Sequence, residues 1–220
     1  MAMITRFQAE KSGVHMEALQ YQRMMDKQSE YDEEAIQILK DLLLKKRKTH
    51  ELEKKVKYIE QIFTGVILAK ELVNAPTNVV TPVVLAEEAE KIAASYSDVM
   101  TAKISDTEQC VELKMGSYLG VADASTDLPK FIHLCYKPPS ESIKTKLAMV
   151  GERLNFDSGG YNIKTGPGCS IEMMNCDMGS SSAVLGAVKA LGQIKPQGVE
   201  VHFIVAPISS VVLIFDVKSV

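Results

Sequence analysis

Two aspartates and a lysine in a glycine-rich stretch are the residues whose types and spacing point most directly to chemistry. Asp157 follows an apolar run at 146–150, Lys164 comes next, and Asp177 precedes a run of small residues. Hard divalent cations prefer carboxylate oxygens, and an ammonium group stabilises negative charge that develops on a substrate. The pattern is that of a metal site with a nearby lysine that can stabilise negative charge on the substrate. The same residue types also fit a surface turn at Asp157 and a helix cap at Asp177.

The elements around these residues are expected to hold them close together. The run 146–150 reads as a buried strand, which places Asp157 just beyond a strand end. The apolar spacing from Gly179 to about Lys195 predicts a helix, so Asp177 precedes a helix start, where unpaired N–H groups favour an anion. The glycines between the two aspartates allow the backbone to approach a ligand closely.

Five stretches stand in a fixed order between about Phe63 and Ala206: ELVNAPTNVVTP, SYLGVADAS, FDSGGYNIKTGPGCSIE, CDMG and GQIKPQGVEVHFIVA. Together they resemble the leucyl aminopeptidase (cytosol aminopeptidase) family, and in particular the N-terminal half of the catalytic domain of its plant members. The resemblance implies a di-metal enzyme that removes N-terminal residues from peptides. It also implies a mixed central sheet flanked by helices.

Carried over by position, the resemblance gives each candidate residue a role. It implies that Asp157 bridges two metal ions, Mn or Zn in the family, and that Asp177 binds one of them. It implies that Lys164 is the active-site lysine that polarises the scissile carbonyl. Glu152 stands where the family motif has a lysine ligand; a carboxylate there adds a negative charge but is itself an oxygen ligand. We therefore expect weak or partial metal binding through Asp157, Asp177 and Glu152.

A second departure from the family concerns its later motif, Asn-Thr-Asp-Ala-Glu-Gly-Arg, which supplies further carboxylate ligands and an arginine. No such string occurs in this chain. Two aspartates alone do not close a two-metal site. The sequence therefore predicts a leucyl aminopeptidase family, metallopeptidase-like protein that is truncated and catalytically impaired.

The first 60 residues have a different character, with no proline, one glycine and many charges. Apolar residues recur at spacings of three and four, as in Ala35, Ile38 and Leu42, which predicts one apolar stripe along a helix. The stripe fits a coiled coil or a helix packed on its own domain. Residues 7–56 resemble the plant zein-binding or GTD-binding domain of myosin-binding adaptor proteins. That resemblance implies self-association or a myosin tail partner through 1–60, and a coiled-coil adaptor is the alternative function.

Composition and charge exclude several classes of protein. A net charge of −3 gives no general attraction for polyanions, and the run KKRK at 45–48 lies among acidic residues without aromatic residues, so we expect no nucleic-acid partner. We expect no membrane span and no signal peptide. Four cysteines without paired spacing fit reduced thiols. The expected location is the cytoplasm. His133 and His202, each in a strand-like run, are interpreted as core or strand-face histidines.

The predicted fold class is α/β, with a long coiled-coil-like N-terminal helix followed by a truncated mixed-sheet aminopeptidase domain. The long helix runs from about Ser12 to Lys57, its apolar spacing extends to Asn74, and Pro76 ends it. The predicted divisions are a helical region at 1–60, a partial catalytic domain at 61–206 and a divergent apolar tail at 207–220. The other predicted elements are helices at 82–95 and 107–114 and strands at 99–104, 118–122, 131–136, 146–150 and 199–206.

Overall fold

The computed structural model describes residues 27, 30, 32–38, 50–76, 79–123, 125, 127–139, 142–154, 168 and 178–208. Residues 32–38 are helical. The rest of the described chain forms these elements in order: α1 (His50–Asn74), α2 (Pro82–Ser95), β1 (Met100–Ser105), α3 (Thr107–Glu112), α4 (Gly116–Ala122), β2 (Phe131–Tyr136), β3 (Thr145–Leu154), α5 (Gly179–Ile194) and β4 (Val199–Ile208).

Helices α1 and α2 begin and end where local chemistry requires. Pro76 follows the end of α1 and has no N–H with which to continue the helix. Thr81 caps α2, since its Oγ1 accepts a hydrogen bond from the backbone N–H of Val84 at 3.4 Å, and Pro82 takes the first helical position. The prediction of a helix from Pro82 to Ser95 is confirmed.

The four strands form one mixed sheet in the order β1-β2-β4-β3. β2 pairs antiparallel with both β1 and β4, whereas β3 pairs in parallel with β4. Thus β3 lies at one edge of the described sheet. The predicted α/β class with a mixed sheet is confirmed, and β2 has the bounds that the sequence predicted.

Alternate residues of the two central strands build the core. One face of β2 and β4 is buried through Ile132, Leu134, Tyr136, Val201, Phe203 and Val205. These side chains form one cluster with α2 and α5, and the cluster extends to Leu68 and Leu72 of α1. Each such side chain stabilises the fold by roughly 1.5–3 kcal/mol relative to its exposed state. The helices thereby fix the position of the sheet and of its strand ends.

Helices α1 and α5 cross with their backbones in contact at two glycines. A Cβ atom on Gly65 would lie 2.3 Å from the carbonyl oxygen of Gly186, and one on Gly186 would lie 2.5 Å from that of Gly65. Any side chain at either position would therefore separate the helices. In the described part of the chain, no helix is long and apolar enough to cross a membrane.

The structure corrects two predicted elements. The run Tyr118–Ala122, predicted as a strand, belongs to helix α4. The prediction of one uninterrupted helix from Ser12 to Asn74 is also wrong, because Lys70 Nζ lies 2.6 Å from Asp32 Oδ2. A straight helix would hold residues 32 and 70 about 57 Å apart, at about 1.5 Å per residue. One straight helix through both residues is therefore excluded.

Candidate functional site

The carboxyl end of β3 packs closely against the start of α5 and is hydrogen-bonded to it. A Cβ on Gly151 would lie 2.8 Å from Cα of Ser181, so only glycine permits this approach of strand to helix. The hydroxyl of Ser180 donates to the carbonyl oxygen of Glu152 at 2.5 Å, and that of Ser181 donates to the same oxygen at 3.0 Å. Two hydroxyls of the first helical turn thus hold the strand end in place.

Glu152 is the one predicted site residue that the structure describes. It lies near the carboxyl end of β3, paired in register with Ala206 of β4, and its side chain is exposed. Its backbone is held by the two serines, whereas its carboxylate is open to a ligand. Asp157, Lys164 and Asp177 lie outside the described residues, so their geometry stays a prediction.

The start of α5 bears on the interpretation of Asp177 as a helix cap. The N-cap residue of α5 is Met178, and no side chain at that position caps the helix. Asp177 therefore precedes the cap by one residue in the sequence. Among the residues that the structure describes, no three or more His, Cys, Asp or Glu side chains are grouped so as to hold a metal.

A second polar cluster, which the sequence did not predict, lies on strands β2 and β4. His133 Nε2 and His202 Nδ1 are 3.0 Å apart, and the two rings stack with centroids 5.2 Å apart. His202 Nε2 lies 3.2 Å from Glu200 Oε1, which also receives Lys146 Nζ at 3.0 Å. Sequence alone gave no signal of this cluster, because only the register of the two strands brings the histidines together.

The charges around this cluster shift two pKa values. Hydrogen bonds from Lys146 and then from His202 lower the pKa of Glu200. Burial lowers the pKa of His133, and the charges of His202 and Lys103 lower it further. Glu200 is thus held as a carboxylate that orients His202, and His202 in turn meets His133. Both histidines are strand-face residues, as the sequence analysis interpreted them.

An apolar groove of about 640 Å³ runs between α1 and α5. Its walls carry small and aliphatic side chains from both helices: Ile62, Val66, Ala69, Val73, Ala187 and Leu191. Lys70 is the charged residue among those that line it. Apart from Lys70, the described residues that line the groove carry no acid, base or nucleophile, and the chemistry of the groove is that of a surface for another apolar element.

Comparisons with known proteins fit this architecture. The cytosol aminopeptidase family, catalytic domain, matches residues 67–212, and the zein-binding family matches residues 1–56. Leucine aminopeptidase 1 of Arabidopsis thaliana is 69% identical over 156 residues, which are 71% of this chain and 30% of that protein. The chloroplastic neutral leucine aminopeptidase of Solanum lycopersicum is 70% identical over 156 residues, or 71% of this chain and 27% of that protein.

A solved structure shows the same likeness. A lysine-to-glutamate mutant of tomato leucine aminopeptidase superposes with a TM-score of 0.67 and 56% sequence identity, over 74% of this chain and 30% of that one. The chain thus spans about 30% of the length of the relatives it matches. The predicted resemblances to both families are confirmed.

The prediction of a cytoplasmic location is wrong. Leucine aminopeptidase 2 of Oryza sativa is 69% identical over 156 residues, which are 71% of this chain and 26% of that protein. This protein and the tomato relative are both named chloroplastic. The sequence reasoning rested on the lack of membrane and secretory patterns, and that lack does not distinguish a cytoplasmic from a chloroplastic location.

The catalytic-domain match covers about two thirds of the sequence, and it includes every element from α2 to β4. The matched family is metal-dependent and acts on peptides. This chain belongs to the cytosol aminopeptidase family.

Proposed function

We propose that Glu152, Asp157, Lys164 and Asp177 are part of a di-metal aminopeptidase site that, in this chain by itself, turns over peptides poorly. The observation that carries the proposal is the exposed carboxylate of Glu152 at the end of β3, where Gly151 and Ser181 fix the backbone. The chain spans about 30% of the length of these relatives.

The donor set fits a hard or borderline divalent cation, because Glu152 presents carboxylate oxygens that are free to bind. Asp157 would bridge two ions, Mn or Zn, and Asp177 and Glu152 would each bind one of them. When bound, such a pair activates water and orients the substrate. Glu152 brings a negative charge to a position where the family motif has a lysine, which changes both the reach and the charge of the site.

Lys164 is proposed to act on the substrate itself. Its ammonium group would donate a hydrogen bond to the carbonyl oxygen of the peptide bond and stabilise the charge that develops there. The substrates are peptides with a free N-terminus, as in the family. Turnover should be low because Glu152 replaces the lysine of the family motif and adds a negative charge to the site.

Release of leucine from leucine amide, with Mn or Zn added to the purified chain, tests the proposed loss of activity. We expect rates close to the buffer blank for both the unmodified chain and Lys164→Ala. Turnover that Lys164→Ala abolishes would overturn the proposed impairment and establish a working site.

Equilibrium dialysis of Mn tests the ligands separately from activity. We expect Asp157→Asn and Glu152→Gln each to weaken binding by about tenfold or more, since each removes a charged oxygen ligand. Asp123→Asn is the matched control, because Asp123 is an exposed aspartate at the end of α4 and should leave binding unchanged. Equal binding in all four proteins would refute the proposed ligand set.

We propose a second function for the region that matches the zein-binding family, namely binding another protein, such as a myosin tail, or a second copy of this chain. Ala35 and Ile38 favour it, because they lie one turn apart and are both exposed on a helix, and Ile38 is 53% exposed. Retention of the full chain on an immobilised myosin tail, and its mass in solution, test the two partners. Ile38→Asp should abolish whichever association exists, whereas Glu34→Ala should not.

A further inference from the structure

The centre of strand β3 lacks the features that protect an edge strand from pairing. β1, at the opposite edge of the described sheet, has six residues and carries Lys103 in its interior. β3 has ten residues, and its central run 147–151 contains no charge and no proline. Charged residues, proline and short length are the means by which proteins keep edge strands apart. The centre of β3 is therefore suited to accept another strand.

The side chains of β3 alternate between the two faces of the sheet. Leu147 and Met149 are paired in register with buried core residues of β4, so they belong to the face that the helices cover. Val150 belongs to the opposite face. All three apolar side chains are nonetheless exposed. The described elements therefore leave apolar surface on both faces of the sheet beside this edge.

Charges of opposite sign flank this apolar centre. Lys146 precedes it and Glu152 follows it, and both are exposed and lie on the same face as Val150. Lys146 Nζ lies 3.0 Å from Glu200 Oε1, but an ammonium group has three donors and can bind a second carboxylate as well. The strand is therefore electrostatically complementary to a copy of itself that runs in the opposite direction.

The register of such a pair follows from the alternation of faces. Residues directly opposite each other in an antiparallel pair share a face, so two sheets continue into one only if the numbers of paired residues differ by an even number. With Met149 on the two-fold axis, residues 145–153 of the two strands pair, and Lys146 meets Glu152 at both ends. Moving the axis by one residue, to position 148 or 150, leaves Lys146 opposite an apolar residue. Charge therefore selects the register centred on Met149.

We propose that β3 pairs antiparallel with β3 of a second copy of this chain, about a two-fold axis at Met149, and so joins the two described sheets into one. Lys146 of each copy faces Glu152 of the other, so each ion pair occurs twice. The apolar centre of each strand is covered by that of its counterpart. Because the carboxylate of Glu152 is also a proposed metal ligand, a bound metal and this pairing compete for it.

A single cysteine on the axis tests the register in the full chain. Met149→Cys places two thiols opposite each other, on Cα atoms about 4.5–5.5 Å apart, which a disulfide can span. Leu147→Cys is the matched control, since it is exposed on the same face but would lie about 13 Å from its counterpart. After mild oxidation in metal-free buffer, we expect linkage through position 149 to be faster than through position 147 by about tenfold or more. Equal rates, or no link through position 149 in the mapped peptides, would overturn the proposal.

Charge reversal tests the same register by sedimentation equilibrium, independently of any peptidase activity. Glu152→Lys and Lys146→Glu should each weaken dimerisation by about tenfold or more, because like charges then face each other twice. An equimolar mixture of the two variants should dimerise as the unmodified chain does, since every charge then meets its opposite. Lys103→Glu, at the other edge of the sheet, is the control and should dimerise normally.

A mixture that dimerises no better than either variant alone would refute the register. The urea midpoint of each variant shows whether it is folded. Should Lys146→Glu unfold, because it loses its contact with Glu200, the cysteine test decides the matter, since it leaves every charge in place.

Discussion

His133 and His202 share one hydrogen bond between their ring nitrogens, at 3.0 Å. The carboxylate of Glu200 accepts from Nε2 of His202, so Nδ1 of a neutral His202 is free to accept from His133. If both rings were doubly protonated, two N–H groups would face each other. Burial, His202 and Lys103 accordingly lower the pKa of His133.

The lowered pKa of His133 makes stability depend on pH in a defined direction. The unfolded chain binds this proton with a pKa near 6.5, whereas burial, His202 and Lys103 lower the value in the folded protein. Acid therefore favours the unfolded state. The contribution is complete above about pH 6.5 and is lost as the pH falls through the folded pKa.

We expect the free energy of unfolding to decline between pH 7.5 and pH 5.5, and His133→Gln to reduce that decline. Urea unfolding at several pH values measures it. His50→Gln is the matched control, since this histidine is exposed on α1, away from the His133 cluster. An unchanged decline in His133→Gln would show that other groups cause it.

At the residue scale, the sequence indicates chemistry that a single residue type carries, but it gives no sign of contacts that depend on how the strands pair. Glu152 was predicted as a metal ligand from the family resemblance; the structure places its exposed side chain near the carboxyl end of β3, and its role as a ligand stays a prediction. The histidine pair was not predicted, because His133 lies opposite Ile204 and His202 opposite Cys135. The rings meet diagonally across two strands that are 69 residues apart, and no local pattern contains that register.

At the scale of elements, the crossing of α1 over α5 determines where the start of α5 meets β3. The backbones touch at Gly65 and Gly186, so the separation of the two helices is set by the lack of side chains there. Core packing tolerates little added volume, because neighbouring backbone atoms cannot move independently.

Gly65→Ala should destabilise the protein by about 1–3 kcal/mol, since its Cβ would press on the carbonyl of Gly186. The midpoint of urea unfolding, at an unchanged slope, measures this. Gly120→Ala is the matched control. It lies inside helix α4 with nothing within 4 Å of the added carbon, and it should leave stability unchanged or raise it by about 0.5–1 kcal/mol. Equal effects at both positions would contradict the proposed contact.

Elements with local signals were predicted correctly, and those fixed by tertiary contacts were not. Thr81 and Pro82 mark the start of α2 as an N-cap and a first helical residue. Along the run from Phe131 to Tyr136, buried and partly buried side chains alternate as in a strand. The short apolar run at 118–122 has no such signal, because periodicity does not separate short helices from short strands. In the fold, the Tyr118 hydroxyl donates to the carbonyl of Pro207, and its ring meets Phe131 edge-on at 6.2 Å.

At the scale of the whole molecule, β3 is the most exposed strand among the residues that the structure describes. β3 pairs with β4 on one side and lies at the end of the described strand order. Leu147, Met149 and Val150 are 51%, 43% and 66% exposed. An apolar strand at the edge of a sheet is a template for pairing with another chain.

We expect the purified chain to associate through this edge, and Val150→Lys to reduce that association at least severalfold, because a charge on an edge strand opposes strand pairing. Light scattering as a function of protein concentration measures the effect. The matched control is Val111→Lys, a valine of α3 that is 59% exposed, away from the sheet edge. If Val111→Lys reduced association as much as Val150→Lys, added net charge rather than the edge of β3 would be responsible. The urea midpoint of both variants should stay close to that of the unmodified chain, since each replaces an exposed side chain and leaves the buried core of β2 and β4 intact.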